Sequence, residues 1–148
     1  MKNNRGFTLL EMLLVLFLIS LIVGISAVVL TRSLPSQKVD SVAREIMATF
    51  RQARSDAIAS GKWQILNFDL EEKSYGIEGG RPPRHIPAEV SLKIIDPFAG
   101  EVFTTGYRFV FSPSGVAEGG TIILSAGKKT VTLETDPVIG AVISRKRQ

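Results

Sequence analysis

The chain contains 148 residues, of which 45% are hydrophobic and 22% are charged, a composition that excludes an intrinsically disordered protein. The absence of cysteine excludes disulfide bonds, thiolate metal sites and cysteine nucleophiles. The net charge of +4 comes from the two ends of the chain, because +4 less the five cations at Lys2, Arg5 and Arg145–Arg147 leaves −1 for the rest. A basic groove on the folded body is therefore not predicted.

The first long segment is apolar and predicts a membrane span. Residues 7–30 read FTLLEMLLVLFLISLIVGISAVVL and contain one formal charge, at Glu11. As a helix this segment would be about 36 Å long, enough to cross a hydrocarbon core of about 30 Å. It is too long for a cleavable secretory signal, and no A-x-A site follows it. Lys2 and Arg5 precede the span, which predicts a cytoplasmic N-terminus and an exported C-terminal body.

Glu11 is the anomaly of this segment, because a carboxylate within an apolar helix is costly. An ionisable residue there indicates a functional site, with a cation on another chain as its best partner. The alternative is that the side chain of Glu11 reaches the lipid headgroups from near the helix end.

The residues around Glu11 carry a family resemblance. The stretch from Arg5 to Glu11 reads RGFTLLE and, with the apolar helix after it, resembles the leader of type IV pilins and type II secretion pseudopilins. The resemblance implies that residues 1–6 are a leader, which a prepilin peptidase cuts between Gly6 and Phe7 before methylating the Phe7 amine. It also implies that Glu11 neutralises the Phe7 amine of a neighbouring subunit, and that the protein is stored in the inner membrane before it joins a filament.

A second helical pattern follows, within a predicted soluble half at residues 31–61. Its hydrophobic residues fall on one stripe at helical spacing, which predicts an amphipathic helix from Ser36 to Ser60 that stops at Gly61. Pro35 predicts a kink or short break before it, whereas the family resemblance implies one long curved helix. Arg44, Arg51 and Arg54 are interpreted as a solvated face. The predicted stripe comprises Val39, Val42, Ala43, Ile46, Phe50, Ala53 and Ala57.

Residues 62–148 predict a β-rich domain, because short β-branched and aromatic runs alternate with Gly, Pro and Asp. A turn is predicted at Asp69–Lys73 and a surface loop at Gly79–Arg84. The predicted class is therefore α+β and pilin-like, with a long N-terminal helix packed on a C-terminal antiparallel sheet domain. The predicted strands are Trp63–Leu70, Ser74–Ile77, Val90–Ile95, Tyr107–Phe111, Thr121–Ser125, Thr130–Glu134 and Val138–Ser144.

The end of this domain resembles the GspH/FimT family. The resemblance lies in FSPSG at residues 111–115, GGTIIL at 119–124 and VIGAV at 138–142. Their glycines need no ligand, since turns and a bulge explain them. Residues 79–105 match no pattern and are interpreted as a variable loop region.

An enzyme is not predicted, and neither a metal nor a cofactor is expected. His85 is the only histidine and lies in a Pro-rich loop, where a solvent-facing role is expected. The stretch AGKKT at residues 126–130 lacks the first glycine of a phosphate-binding loop, since Ile122 stands at that position.

Two functions from different classes remain open. The first is a minor pseudopilin at or near the tip of a type II secretion pseudopilus, with the major and other minor pseudopilins, the prepilin peptidase and an inner-membrane platform as partners. The alternative is a FimT-like minor pilin that primes pilus assembly or captures DNA through Arg145, Lys146 and Arg147. Ser144 stands where DNA-capturing relatives carry glycine, and a basic terminus also serves solubility.

Overall fold

The computed structural model describes residues 8–103, 105–136 and 142–147, without the side chains of 25–36 and 146–147. The chain divides into two compact units, Met1–Leu34 and Pro35–Gln148. The described residues form one helix, α1 (Leu9–Ser60), and ten strands. The strands are β1 (Gln64–Asp69), β2 (Ser74–Ile77), β3 (Arg84–His85), β4 (Ser91–Asp96), β5 (Gly100–Val102), β6 (Gly106–Phe111), β7 (Ala117–Glu118), β8 (Thr121–Ala126), β9 (Lys129–Thr135) and β10 (Val142–Arg147).

Helix α1 continues through Pro35 without interruption, so the predicted break at that residue is wrong. An interior proline removes one backbone hydrogen bond and costs about 3 kcal/mol. The backbone on both sides of Pro35 is helical, so this cost does not end the helix. At the other end the helix stops as predicted, because Gly61 has a φ of 65° and adopts the left-handed conformation that closes a helix C-terminus.

The strands form two antiparallel five-stranded sheets. The first sheet has the order β3-β2-β1-β6-β7, and the second has the order β10-β9-β8-β4-β5. A helix on antiparallel sheets is the predicted α+β, pilin-like class, which is confirmed. Asp69 also forms the predicted turn, since its Oδ1 accepts hydrogen bonds from the backbone N–H of Glu71 (2.9 Å) and Glu72 (2.8 Å).

Six predicted strands are confirmed within one or two residues at each end. The seventh is confirmed at residues 142–144 but was ended too early, because β10 continues to Arg147; its predicted first residues, 138–141, lie outside the described part of the chain. The strands β3, β5 and β7 were missed, and each has only two or three residues, too few to show an alternating pattern. The interpretation of residues 79–105 as a loop region is therefore wrong in part, since β3 and β5 lie within it.

The predicted stripe of α1 forms the centre of the core, and all seven of its residues are buried. Phe50 is its largest member, and its ring contacts three phenylalanines of the first sheet. The centroid distances are 4.9 Å to Phe109, 5.6 Å to Phe111 and 6.3 Å to Phe68. The same hydrophobic cluster includes buried residues of the second sheet: Ile94, Ile122, Leu124, Val131 and Leu133. One helix face therefore packs in a single core with both sheets.

Polar contacts hold the same part of the helix to the sheet domain. Lys38 Nζ lies 2.5 Å from Glu89 Oε1, just before β4. Lys129, at the start of β9, pairs with the partly buried carboxylate of Asp40. These ion pairs fix which end of the second sheet lies beside the first turns of the buried stripe.

Gly119 and Gly120 occupy a crowded passage between the two sheets, where the chain leaves β7 and enters β8. A Cβ on Gly119, whose φ is 155°, would lie 2.1 Å from a ring carbon of Phe109. A Cβ on Gly120 would lie 2.2 Å from the carbonyl oxygen of Ile95. Both clashes involve atoms that cannot move freely. Gly119 therefore lets the chain pass close to the first sheet, and Gly120 lets it pass close to β4, the neighbour of β8 in the second sheet.

A side-chain hydrogen bond also joins the two sheets. Tyr107 on β6 donates its hydroxyl to Asp96 Oδ2, at the end of β4, over 2.7 Å. Asp96 Oδ1 accepts the backbone N–H groups of Phe98 and Ala99, both at 2.8 Å. The bond from Tyr107, with the bonds from Ala99 and Phe98, lowers the pKa of Asp96 below its ordinary value. Burial, with the bond to Asp96, raises the pKa of Tyr107.

Replacing Phe50 by alanine is expected to destabilise the unit Pro35–Gln148 by about 3–5 kcal/mol, because the deleted ring fills the centre of the core. Urea unfolding followed by circular dichroism measures the change. Ile58→Ala, on the same helix but 48% exposed, is the matched control and should cost about 1 kcal/mol or less. Equal losses in the two variants would contradict this description of the core.

Replacing Gly119 by alanine is expected to cost about 2–4 kcal/mol, because the added methyl group collides with the Phe109 ring. Gly106→Ala is the control, since no atom lies within 4 Å of its added Cβ, and it should change the free energy of unfolding by less than about 0.5 kcal/mol. Thermal unfolding of both variants tests the difference, and an unperturbed Gly119→Ala variant would refute the crowded passage.

Replacing Tyr107 by phenylalanine is expected to raise the pKa of Asp96 toward its ordinary value of 3.8. The variant lacks the hydroxyl whose hydrogen bond contributes most to lowering that pKa. Since the folded pKa is lowered, the stabilisation is present above 3.8 and is lost as the pH falls through the folded pKa. Carboxyl titration by NMR measures the shift directly. An unchanged pKa of Asp96 in the variant would contradict the bond.

Candidate assembly site and the basic C-terminal strand

The helix N-terminus is built around Thr8. Its hydroxyl accepts a hydrogen bond from the backbone N–H of Glu11 at 3.2 Å, and its carbonyl accepts bonds from the N–H groups of Glu11 (3.1 Å) and Met12 (3.2 Å). Thr8 is therefore the N-cap of α1. The sequence analysis missed this role, although the T-x-x-E pattern of a capping box at Thr8–Glu11 could have revealed it.

Glu11 lies in the first turn of α1, and its side chain is exposed. A carboxylate at this position is favoured by the helix dipole, whose positive end lies at the N-terminus. The residues predicted to be cleaved and methylated, Gly6 and Phe7, lie outside the described part of the chain, so their roles remain predictions.

The helix after Glu11 exposes apolar side chains on all its sides. The exposed residues include Leu13, Leu14, Leu16, Phe17 and Ile22. Among the residues that the structure describes, we find no helix with both the length and the apolar character that a membrane crossing requires. Phe7 and the side chains of 25–30, which belong to the predicted span 7–30, lie outside that description.

The basic C-terminal residues belong to an edge strand. The backbone of Arg145, Lys146 and Arg147 pairs with β9 through the end of β10. Arg145 Nη1 lies 3.9 Å from Glu134 Oε1, so one of the three cations has an acidic neighbour. The side chains of Lys146 and Arg147 lie outside the description, and a nucleic-acid contact through these three residues stays a prediction.

The residues considered in the sequence analysis as catalytic or phosphate-binding candidates lie in strands or ion pairs of the sheet domain. His85 is exposed on the short strand β3 rather than in a loop, because Ser74 and Tyr75 on β2 pair with this segment. Lys129, from the phosphate-loop-like stretch, is paired with Asp40. Within the described residues, no three His, Cys, Asp or Glu side chains form a group that could hold a metal ion.

The interpretation of the helix arginines as a solvated face is correct for Arg44 and Arg51, which are exposed. It is wrong for Arg54, which is partly buried and donates its Nε–H to the carbonyl oxygen of Gly115 at 3.0 Å. Gly115 closes the FSPSG turn with a φ of 86°. The motif therefore docks on the helix, a tertiary contact that no local pattern indicates.

Comparison with known proteins finds matches for both the N-terminal segment and the sheet domain. The prokaryotic N-terminal methylation motif matches residues 1–27, and the family described as type II transport protein GspH matches residues 42–138. A relative named type II secretion system protein H, from Xanthomonas campestris pv. campestris, is 30% identical over 124 residues, covering 84% of this chain and 73% of the relative. No solved structure matches the chain. With an N-terminal methylation motif, a pilin-like fold and a GspH domain across two thirds of its length, the chain belongs to the GspH family of type II secretion pseudopilins.

Proposed function

We propose that this chain is a minor pseudopilin, a structural subunit at or near the tip of a type II secretion pseudopilus that supports protein secretion across the outer membrane. The observation that carries the proposal is a capped helix whose exposed apolar sides bear one carboxylate, Glu11, in the first turn. An apolar surface of this kind needs lipid, or other helices of the same character, to cover it. In a subunit that moves from a membrane into a helical filament, lipid covers this surface first and the helices of other subunits cover it afterwards.

The first turn of α1 suits the pairing step of assembly. Thr8 caps the helix through the backbone N–H of Glu11, and the exposed carboxylate of Glu11 lies in the first turn, where a second chain can reach it. In the proposed sequence, the prepilin peptidase cuts between Gly6 and Phe7 and methylates the new amine. A neighbouring subunit then presents its Phe7 ammonium to Glu11, and the pair removes the cost of an unpaired charge in a low dielectric.

The topology follows from the same processing. The leader of residues 1–6 would stay in the cytoplasm, residues 7–30 would anchor the chain in the inner membrane, and the sheet domain would lie in the periplasm. The direct partners are the prepilin peptidase, the inner-membrane secretion platform, the major pseudopilin and the other minor pseudopilins. The role is mechanical, so the proposal requires no catalytic residue and no cofactor.

Replacing Glu11 by glutamine is expected to leave membrane insertion and leader removal intact, but to lower incorporation into sheared filaments at least tenfold, because the amine of the neighbour loses its counter-charge. Glu11→Asp should recover part of the incorporation. Glu118→Gln, an exposed carboxylate on β7, is the control and should behave like the native chain. Quantitative immunoblots of filament and membrane fractions measure the effect, and normal incorporation of Glu11→Gln would contradict the proposed pairing.

The alternative function is a FimT-like type IV minor pilin that acts in pilus assembly or DNA uptake. The observation favouring it is that the three cations of the C-terminus continue an ordered strand, β10, whose backbone could present them along a phosphate chain. A minor pseudopilin of secretion has no need for such binding, so the two functions differ in one measurable property.

Titration of the chain against labelled duplex DNA separates these functions. If the chain functions in secretion, it should not bind DNA even at low salt. The variant with Arg145, Lys146 and Arg147 all changed to alanine should then give the same titration as the native chain. Binding that weakens as salt rises and disappears in the triple variant would instead identify the strand as a DNA-contact site, because released counterions scale with the phosphates neutralised.

A further inference from the structure

The last strand, β10, is the one long sheet edge among the residues that the structure describes. The first sheet ends in β3 and β7, and the second ends in β5 and β10. The other three edge strands have two or three residues each, whereas β10 has six. Proteins normally keep free edges short, because unpaired backbone groups can pair with another chain. A six-residue edge is therefore a candidate site for a further strand.

The backbone of β10 has the geometry to accept such a strand. In an antiparallel pair, alternate residues direct their N–H and C=O groups toward the neighbouring strand, and the others direct theirs away from it. β10 pairs with β9 continuously from Val142 to Arg147. Half of its residues therefore present a donor and an acceptor at the free edge, and no described strand lies beyond them. An extended backbone carries partner groups at the same spacing.

The face of β10 that is turned toward α1 is incompletely covered. Ser144 is level with Leu133 on β9, and residues at paired positions lie on the same face of a sheet. Leu133 is buried, but Ser144 is exposed. A groove of about 570 Å³ lies between Val142 and α1, and its lining includes Met47 and Ile58. A strand added beside β10 directs alternate side chains toward this groove, where apolar residues fit.

The charge around this edge favours an acidic segment. The sequence of β10 contains three cations, at residues 145–147, and no acid. The groove is lined by Arg51 and Arg54 and by no acidic residue of the described chain. The acidic neighbour of the strand is Glu134 on β9, which lies 3.9 Å from Arg145. Because the cations outnumber this single acid, an incoming strand that carries carboxylates is electrostatically complementary to the edge.

A second copy of β10 is not a complementary strand. It would bring three more cations and no carboxylate to the same edge, and like charges on neighbouring strands are destabilising. Cations on a free edge also oppose pairing with neutral apolar strands, a common protection against aggregation. The same charges therefore select against unspecific pairing and in favour of an acidic partner.

We propose that β10 binds an extended acidic segment of a partner protein, which joins the second sheet as a sixth strand. The segment directs apolar side chains toward the groove beside Val142 and carboxylates toward the opposite face, where Arg145 lies. Main-chain hydrogen bonds provide affinity, and the alternation of apolar and acidic residues provides specificity. The binding uses only the unit Pro35–Gln148, so it does not depend on the proposed role in secretion.

A peptide titration tests this strand addition. The full chain in detergent micelles is titrated with fluorescent EVEIEVE, a peptide in which glutamate alternates with valine and isoleucine, and anisotropy measures binding. One control peptide, KVKIKVK, reverses the charge. The other is EVEIEVE with methylated backbone nitrogens, which keeps the side chains but has no N–H to donate. We expect both controls to bind at least tenfold more weakly. No binding of EVEIEVE, or equal binding of either control, would overturn the proposal.

Hydrogen exchange locates the bound peptide. The amides of β10 that face the free edge should exchange at least tenfold more slowly when EVEIEVE is bound, because they then donate to its carbonyl groups. The amides of β3, an edge strand of the other sheet, should be unaffected. Unchanged exchange in β10 would show that the peptide binds without strand pairing. Protection of β10 by duplex DNA and not by the peptide would make the strand a nucleic-acid site, and either result refutes the proposal.

Removing the cations of β10 tests the selection for acidic segments. A variant in which glutamine replaces all three residues, Arg145→Gln, Lys146→Gln and Arg147→Gln, should keep its circular dichroism spectrum and bind EVEIEVE at least fivefold more weakly. The matched control removes the same charge at three exposed cations on other segments, Arg81→Gln, Lys93→Gln and Arg108→Gln. It should bind the peptide like the native chain. Equal losses in the two variants would indicate attraction to the net charge and contradict a site at β10.

Discussion

Burial of one face of α1 around Phe50 is the constraint on which the rest of the structure depends. The Phe50 ring contacts phenylalanines of the first sheet, and the stripe to which it belongs shares one hydrophobic cluster with the second sheet. Asp40 and Arg54 add polar contacts at two levels of the same helix face. A single packed core therefore joins the helix to both sheets.

The helix and the longer strands could be predicted because their patterns are long. Seven apolar residues at helical spacing lie on one face of a helix, so the pattern predicts which face is buried. In the same way, the alternation in Tyr107–Phe111 predicts which side chains of that strand point into the core. The short strand β3 could not be predicted, since its two residues become a strand only by pairing with Ser74 and Tyr75. The last strand was ended three residues before Arg147, because its continued pairing with β9 joins separate chain segments and is not visible in a local pattern.

The candidate site residues also differ in whether a local sequence pattern or a contact between distant segments reveals them. Glu11 stands out because a lone charge in an apolar helix needs a reason, and the role in assembly proposed for it came from the family resemblance. Thr8 was readable from its spacing to Glu11 and was overlooked. Arg54 was misread because its contact with Gly115 joins segments distant in sequence.

The most direct test of the central claim, that this chain is processed and assembled as a pilin-like subunit, is the intact mass of the native protein purified from cell membranes. Such processing gives a chain that begins at Phe7, without residues 1–6, and carries one methyl group on its N-terminal amine. The same chain from cells without prepilin peptidase should retain Met1 to Gly6. A native protein that keeps its first six residues, or one cut after the apolar segment, would contradict the account.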